Sequence, residues 1–252
     1  MPVHNKLFTT SGGEAHPTDN AEDPVLSHAA SIKMPCTRNA ANTEIMKIQI
    51  KQYCRIIHNK VLLNGTLLFE SAQTPTDMNN FFSEIYNRLH IDYRKFFKMD
   101  SLSKAGFVAS ELLLQTFDRD QAKENMGIVF FGQSGSLETD KVFQQTIRDK
   151  DNFFPSPAVF VYTLPNIVTG EIAIRNKIHG ETAFFLLPAF QPKLIEESVI
   201  GIFHNSGLKY LLTGWIDIDE LDVCMMLCVN DEDGLIVFNA ENIKKIYYKS
   251  LI

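Results

Sequence analysis

From Ile48 onward, apolar and polar positions follow orderly periods that change along the chain. Ile48–Ile57 alternates and is rich in β-branched residues, which predicts a strand. The apolar run Val61–Phe69 is interrupted by Asn64-Gly65, a turn signal. Between Asp77 and His90 the apolar residues Met78, Phe81, Phe82, Ile85 and Leu89 recur at helical spacing, predicting an amphipathic helix. Ser103–Phe117 is apolar over most of its surface, so it predicts a buried helix. Its small residues Ala105, Gly106, Ala109 and Ser110 admit a close neighbour. Met126–Phe131 reads as a fully buried strand ending in the loop Gly132-Gln-Ser-Gly-Ser136, with a helix over Thr139–Ile147.

Phe153-Phe-Pro-Ser-Pro157 predicts a stiff loop with no regular element, because proline fixes φ. A helix centred on Asn166–Ile174 follows, then a second buried strand over Thr182–Leu187, a helix over Leu194–Phe203 and a strand over Lys209–Asp217. The final pattern pairs Asp222–Val229 with Leu235–Asn239 as a hairpin across Asn230–Gly234. Alternating strands and helices predict an α/β layered fold without internal repeats. Residues 1–45 differ: Ser, Thr, Asn, Asp, His, Pro and Ala dominate and hydrophobics are sparse. Such a segment buries too little apolar surface to offset its ordering entropy, which predicts a disordered arm before a domain over 46–252. Met46 opens the patterned stretch and is a candidate start. The arm has no long apolar core of the signal-peptide type.

The 252 residues carry a formal charge of −6, with 45% hydrophobic and 21% charged residues, an ordinary globular composition without the basic face of a nucleic-acid binder. No apolar run approaches a membrane span. Cys36, Cys54, Cys224 and Cys228 are too few and scattered for a disulfide framework, and the cytoplasm is the compartment they fit. Cys224 and Cys228 lie in an apolar run without a nearby histidine, so they read as buried thiols rather than metal ligands. Neither a metal nor a cofactor is expected.

Gly132–Ser136 matches neither phosphate-loop fingerprint and lacks the second glycine of a nucleophile elbow, so a tight loop at a strand end explains it. A hydrolase also needs a carboxylate-oriented histidine, whereas His58, His90, His179 and His204 fall at element ends. The acid groups Glu196-Glu197, Asp217/Asp219/Glu220 and Asp231–Asp233 read as exposed helix or loop positions.

Residues 93–218 resemble the N-terminal half of β-ketoacyl synthases, condensing enzymes of the thiolase-like superfamily. The likeness rests on blocks in matching order and spacing. Tyr93-Arg-Lys-Phe-Phe-Lys-Met-Asp100, with the small-residue helix behind it, is similar to the family's Arg-Lys-Met-Asp segment. Met126–Gly132 resembles the next core strand. The family's proline loop, Leu-Pro-Asn helix start, Ala-Gly-x-Ile-x-Ile continuation and closing Lys-Gly-Pro are echoed by Phe154–Pro157, Thr163–Asn166, Gly170–Ile174 and Lys177–Gly180. The resemblance implies an α/β fold, a thiolase-like half with a mixed sheet and covering helices, preceded by the disordered arm.

In active synthases the strand after that glycine leads to a cysteine that starts a helix, where the dipole and amide donors favour the thiolate. Counting from Gly180 puts that position near Ala189, which cannot form a thioester. The family's second half, which brings the partner residues for decarboxylation, has no counterpart before Ile252. The chain is therefore expected not to be an enzyme by itself, although its family class is acyltransferase (3-oxoacyl-ACP synthase). Its expected role resembles a chain-length factor of fatty-acid or polyketide synthesis, including aryl-polyene and flexirubin-type pathways. The expected partners are an active ketoacyl synthase, an acyl carrier protein, or both, in a homodimer or heterodimer, with no nucleic acid. Phe160, Pro165, Asn166, Gly170, Phe184 and Phe185 are the pocket or interface residues implied, the pocket lying under Phe160, Val161 and Ile167. Family members dimerise through the strand that is Ala183–Leu187 here; a central strand buried between helices explains the same composition. An acyltransferase using Ser134 or His179 and a purely self-associating protein remain as alternatives.

Overall fold

The structure, a computed structural model, describes residues 47–71, 77–151, 153–219 and 221–249; the expected arm and candidate start, with Cys36 and Glu220, lie outside them. The chain opens with a meander of β1 (Ile48–Ile57), β2 (Lys60–Leu63) and β3 (Thr66–Glu70). Asn64 and Gly65 both take positive φ, 51° and 82°, the two-residue turn whose twist matches the flanking strands. Helix α1 (Met78–Arg88) is capped by Asp77, whose carboxylate accepts from Asn79 N. After a 3-10 turn at Arg94–Lys98, α2 (Ser101–Leu113) is capped in the same way by Asp100.

Strand β4 (Met126–Gly132) leads through α3 (Leu137–Ile147), α4 (Pro157–Val161) and α5 (Ile167–Asn176) to β5 (Thr182–Leu186). Helix α6 (Pro192–Ser206), β6 (Tyr210–Asp217), β7 (Asp222–Asn230), β8 (Ile236–Val237) and α7 (Ala240–Lys249) complete the described chain. The sheet runs β3-β2-β1-β7-β6-β4-β5, with β8 beside β1. Strands β5, β4 and β6 are parallel, and β7 is antiparallel to both β6 and β1.

Successive strand residues point to opposite faces, so strands buried on both sides need two layers of helices. Ile128 and Phe130 of β4 join a core with Phe82, Phe107, Leu112 and Ile172 of α1, α2 and α5. Val129 and Phe131 join the other core, with Ile195, Val199 and Phe203 of α6 and Ile243 of α7. All seven residues of β4 are buried, as its continuous apolar run predicts. The small-residue helix is buried as well, and Gly106 lets α2 approach α5 so closely that a Cβ there would lie 2.4 Å from Val168 Cγ2.

Three expectations are corrected, and one element is added. Thr182–Leu187 is not a fully buried strand: β5 is the sheet edge, and none of its residues is buried. Leu235–Asn239 does not form a hairpin with Asp222–Val229; β7 lies between β6 and β1, and β8 pairs with Gln49 and Ile50 of β1. The pairings of β7 and β8 with β1 cross nearly the whole patterned chain, which no local turn signal encodes. Pro157 begins α4 at a position where its missing N–H costs nothing, while Ser156 caps the helix. Helix α7 is an additional element, burying Ile243 and Ile246.

Gly214 gives the sharpest backbone constraint. It takes φ 147° in β6, and a Cβ would sit 2.1 Å from Cys224 O on β7. Gly214→Ala is expected to cost about 2–4 kcal/mol in urea unfolding, through strain and clash at a central strand pair. A loss well below ~1 kcal/mol would contradict the close approach.

Candidate functional site

In open α/β sheets, functional groups gather beyond the carboxyl ends of parallel strands. Here β4, β5 and β6 end together. The loop Gln133–Ser136 leaves β4, and Asp217 closes β6. Asp217 Oδ2 accepts from the main-chain N–H of Gln133 and Ser134, each at 2.9 Å, and Oδ1 accepts from Ser134 Oγ at 2.9 Å. A fourth bond comes from Asp219 N at 3.1 Å. Asp217 is buried, so the expectation that it solvates a loop is corrected: it clamps the β4 loop onto β6. The missed signal was its place on the last residue of an apolar strand, where both turns present N–H groups.

Ser134 is therefore held by a carboxylate rather than by a histidine. His179 lies before β5, its Nδ1 2.8 Å from Glu124 Oε1 at an exposed position. Ser134 and His179 flank opposite ends of the β4–β5 pair, separated by roughly 20 Å of strand. They do not form one site.

Beyond β5, Leu187 N donates to Gly132 O at 2.9 Å, and Ala189 follows at an exposed position. The helix starts later than Ala189: Gln191 is the N-cap of α6, with Pro192 in its first turn and no side-chain capping bond. Phe190 turns inward and stacks on Tyr247 with centroids 3.7 Å apart, packed edge-on against Trp215. The Tyr247 hydroxyl donates to Asp222 Oδ2, and Asp222 pairs with the wholly buried Arg55. This chain of contacts ties the strand-to-helix turn to α7.

The resemblance residues separate into groups. Pro165 packs at Gly135 beside Leu186, so the α4–α5 connection touches the end of β5. Phe184 lies against Gly132, and Phe185, 45% exposed, stacks on Phe131 at 5.5 Å. Phe160 is exposed and contacts Phe143 of α3 at 5.3 Å. Asn166 caps α5 without a side-chain bond, and Gly170 faces open space. A cleft of about 580 Å³ runs between α3, α4 and the start of α2, but Phe160, Val161 and Ile167 do not line it. Its apolar lining is Met99, Val142, Ala158 and Val159, with Tyr162 and Asp100 beside them. Burial pushes the Asp100 carboxyl up, opposed by hydrogen bonds from Ser103 and Thr139. Burial, and next the neighbouring Glu171, push the Tyr162 phenol well above its usual range.

Cys224 and Cys228 are buried on β7 and Cys54 on β1. Among the described residues no group of three or more His, Cys, Asp or Glu could hold a metal ion, and no helix is long and apolar enough to cross a membrane.

Two outcomes follow from this geometry. Asp217→Ala orphans four donors and is expected to cost about 3 kcal/mol in denaturant unfolding, while Ser134→Ala costs about 1. Burial pushes the Cys54 and Cys224 thiols up to about 12 and about 11 and raises Cys228 well above its usual value, so thiolate is scarce until strongly alkaline pH. These three thiols are expected to react with a disulfide reagent only after unfolding. Rapid labelling in the native protein would refute their burial.

No family model matches the chain, and no curated protein matches it by sequence. Solved structures do match in shape. The ishigamide ketosynthase/chain length factor is 15% identical with a TM-score of 0.51, over 75% of this chain and 63% of that one. A ketosynthase in complex with its chain length factor from Xenorhabdus doucetiae is 14% identical with a TM-score of 0.47, over 74% of this chain and 80% of that one. A β-ketoacyl synthase from Burkholderia phymatum is 12% identical with a TM-score of 0.48, over 75% of this chain and 60% of that one. This chain thus spans less than two thirds of the ishigamide protein it matches. The strand order described above and the ishigamide likeness together give the chain the mixed α/β, thiolase-like fold that ketosynthases and chain length factors share.

Proposed function

We propose that this chain is a non-catalytic, chain-length-factor-like partner of an active β-ketoacyl synthase in fatty-acid or polyketide synthesis, of the aryl-polyene or flexirubin type. The observation that carries the reading is β5. It is bonded to β4 on one side, and no described strand pairs with its other side. Phe185 and Leu186 are 45% and 58% exposed on it. An apolar edge of this kind is a pairing template that proteins otherwise blunt or cover. By the resemblance, the same strand is the dimer strand of the family, and one structure that shares this fold is named as the ishigamide ketosynthase/chain length factor.

Catalysis is argued against by the turn after β5. Leu187-Pro-Ala-Phe-Gln-Pro192 holds no cysteine, and Ala189 stands where the resemblance puts the nucleophile. The acyltransferase alternative loses support because Ser134 serves Asp217 and His179 lies at the far end of the strands. The role left for the turn is steric: Phe190, stacked on Tyr247, gives it a fixed shape beside the partner-facing edge.

Co-purification with a full-length ketoacyl synthase and, separately, with an acyl carrier protein tests the proposal. The wild-type chain is expected to retain the synthase, and Phe185→Asp/Leu186→Asp to lose it by at least about a hundredfold in affinity, since each side chain forfeits about 1.5–3 kcal/mol of burial. Intact mass after incubation with an acyl thioester is expected to show no adduct. A well-folded preparation that binds neither protein sinks the reading; one that forms only a homodimer favours simple self-association.

A further inference from the structure

The sheet is wider than the helices laid on its α6–α7 face. Seven strands in one path span roughly 30 Å, while two helices cover about 20 Å. Helix α6 lies over the β4–β6 side, and α7 packs beside α6. The β1–β2–β3 meander projects past α7, leaving a cleft of about 840 Å³ between the hairpin turn and the outer side of that helix. This volume lies in the range of small-molecule sites.

The lining has two characters. Leu62, Ile236 and Ile246 supply an apolar surface, flanked by the rings of Tyr53 and Tyr248. The polar lining carries both signs: Glu241 and Asn242 lie beside Lys244, Lys245 and the two tyrosine hydroxyls. Lys245 pairs with Glu241, but Lys244, one residue away, pairs with no carboxylate among the described residues. The Tyr53 hydroxyl sits over Gly65, 3.0 Å from where a Cβ would be, so a larger residue at this turn would crowd it. Neither that hydroxyl nor the one on Tyr248 has a hydrogen-bond partner among the described residues. Of the acceptors nearby, Asn64 Oδ1 is engaged by Tyr53 N at 2.9 Å, and the Glu241 carboxylate is engaged by Lys245. Burial raises the Tyr53 pKa, which keeps its hydroxyl a donor.

We propose that this cleft binds a small amphipathic carboxylate, its anionic head facing Lys244 and the tyrosine hydroxyls and its apolar body on Leu62, Ile236 and Ile246. With Glu241 offset by Lys245, the cation of Lys244 and the two tyrosine hydroxyls call for an acceptor-rich head, and the apolar side chains call for a hydrocarbon body. The site is separate from the β5 edge and does not depend on the partner role proposed for it.

Titration calorimetry of the purified full chain tests this with decanoate as the probe and decyltrimethylammonium as the cationic control. Decanoate is expected to bind saturably, one per chain, and the cation weakly. Lys244→Glu, at an exposed helix position, is expected to weaken decanoate roughly tenfold through charge reversal. Tyr248→Ala is expected to weaken it roughly fivefold through lost contact area and a lost donor. Thermal unfolding and sedimentation of each variant establish that it remains folded. The proposal falls if decanoate does not saturate, if Lys244→Glu binds it as tightly as wild type, or if the cation binds equally well. It also falls if wild type self-associates and Lys244→Glu abolishes that association, because a second copy then fills the cleft.

Discussion

Burial of the central strands on both faces is the constraint from which the rest of the molecule follows. Strands β4, β6 and β7 consist almost wholly of buried residues, so each face of the sheet must be covered by helices. Helices α1, α2 and α5 cover one face, and α6 with α7 the other. Cover is complete in the middle and fails at the margins. At one margin β5 keeps an apolar edge that no described strand pairs; at the other the meander overhangs α7 and opens a cleft. Both of the proposed contact places arise from a sheet broader than its helical layers.

Polar groups inside this sandwich act as ties between layers, each placed where a main-chain direction changes. Asp217 joins two strand ends. Lys123 donates to the carbonyls of Asp118, Gln121 and Asn176, pinning the approach to β4 against the end of α5. Glu111 on the buried α2 meets Arg119 and Arg175, folding the chain back after that helix. Arg55 is held by Asp222 and Val223 O, with the Tyr247 ring 4.8 Å from its guanidinium carbon. A buried ion pair adds little net stability relative to apolar packing, but losing one partner strands a charge. Such ties specify which layer sits where more than they strengthen the fold.

The functional reading depends on the same geography. The proposed partner role rests on an exposed apolar edge beside a strand-to-helix turn whose shape is fixed by Phe190 on Tyr247. The buried thiols and the separation of Ser134 from His179 leave no activated nucleophile at that end of the sheet among the described residues. An edge strand gains most from a partner when it lacks cover, and among the described residues no strand pairs with the outer side of β5, which carries Phe185 and Leu186.

What the sequence determined by itself was local. Asn64-Gly65 specifies a turn because only αL-tolerant residues adopt it, and the Asp77 and Asp100 caps depend on neighbours within three residues. Helical spacing located α1 and α2, and the apolar run of Met126–Phe131 declared a buried strand. The ordered blocks between Tyr93 and Gly180 carried the fold class. What only the tertiary structure decided was everything requiring a partner distant in sequence. The apolar run Thr182–Leu187 could not reveal whether its contacts come from within the chain or from outside; its place at the sheet edge did. Asp217 looked like a loop acid until Gln133 and Ser134, more than eighty residues earlier, supplied its donors. Strand β8 chose β1 over its sequence neighbour because β7 was already bonded on both sides. Hydrophobicity states that a side chain will be covered, and only the assembled layers state by what.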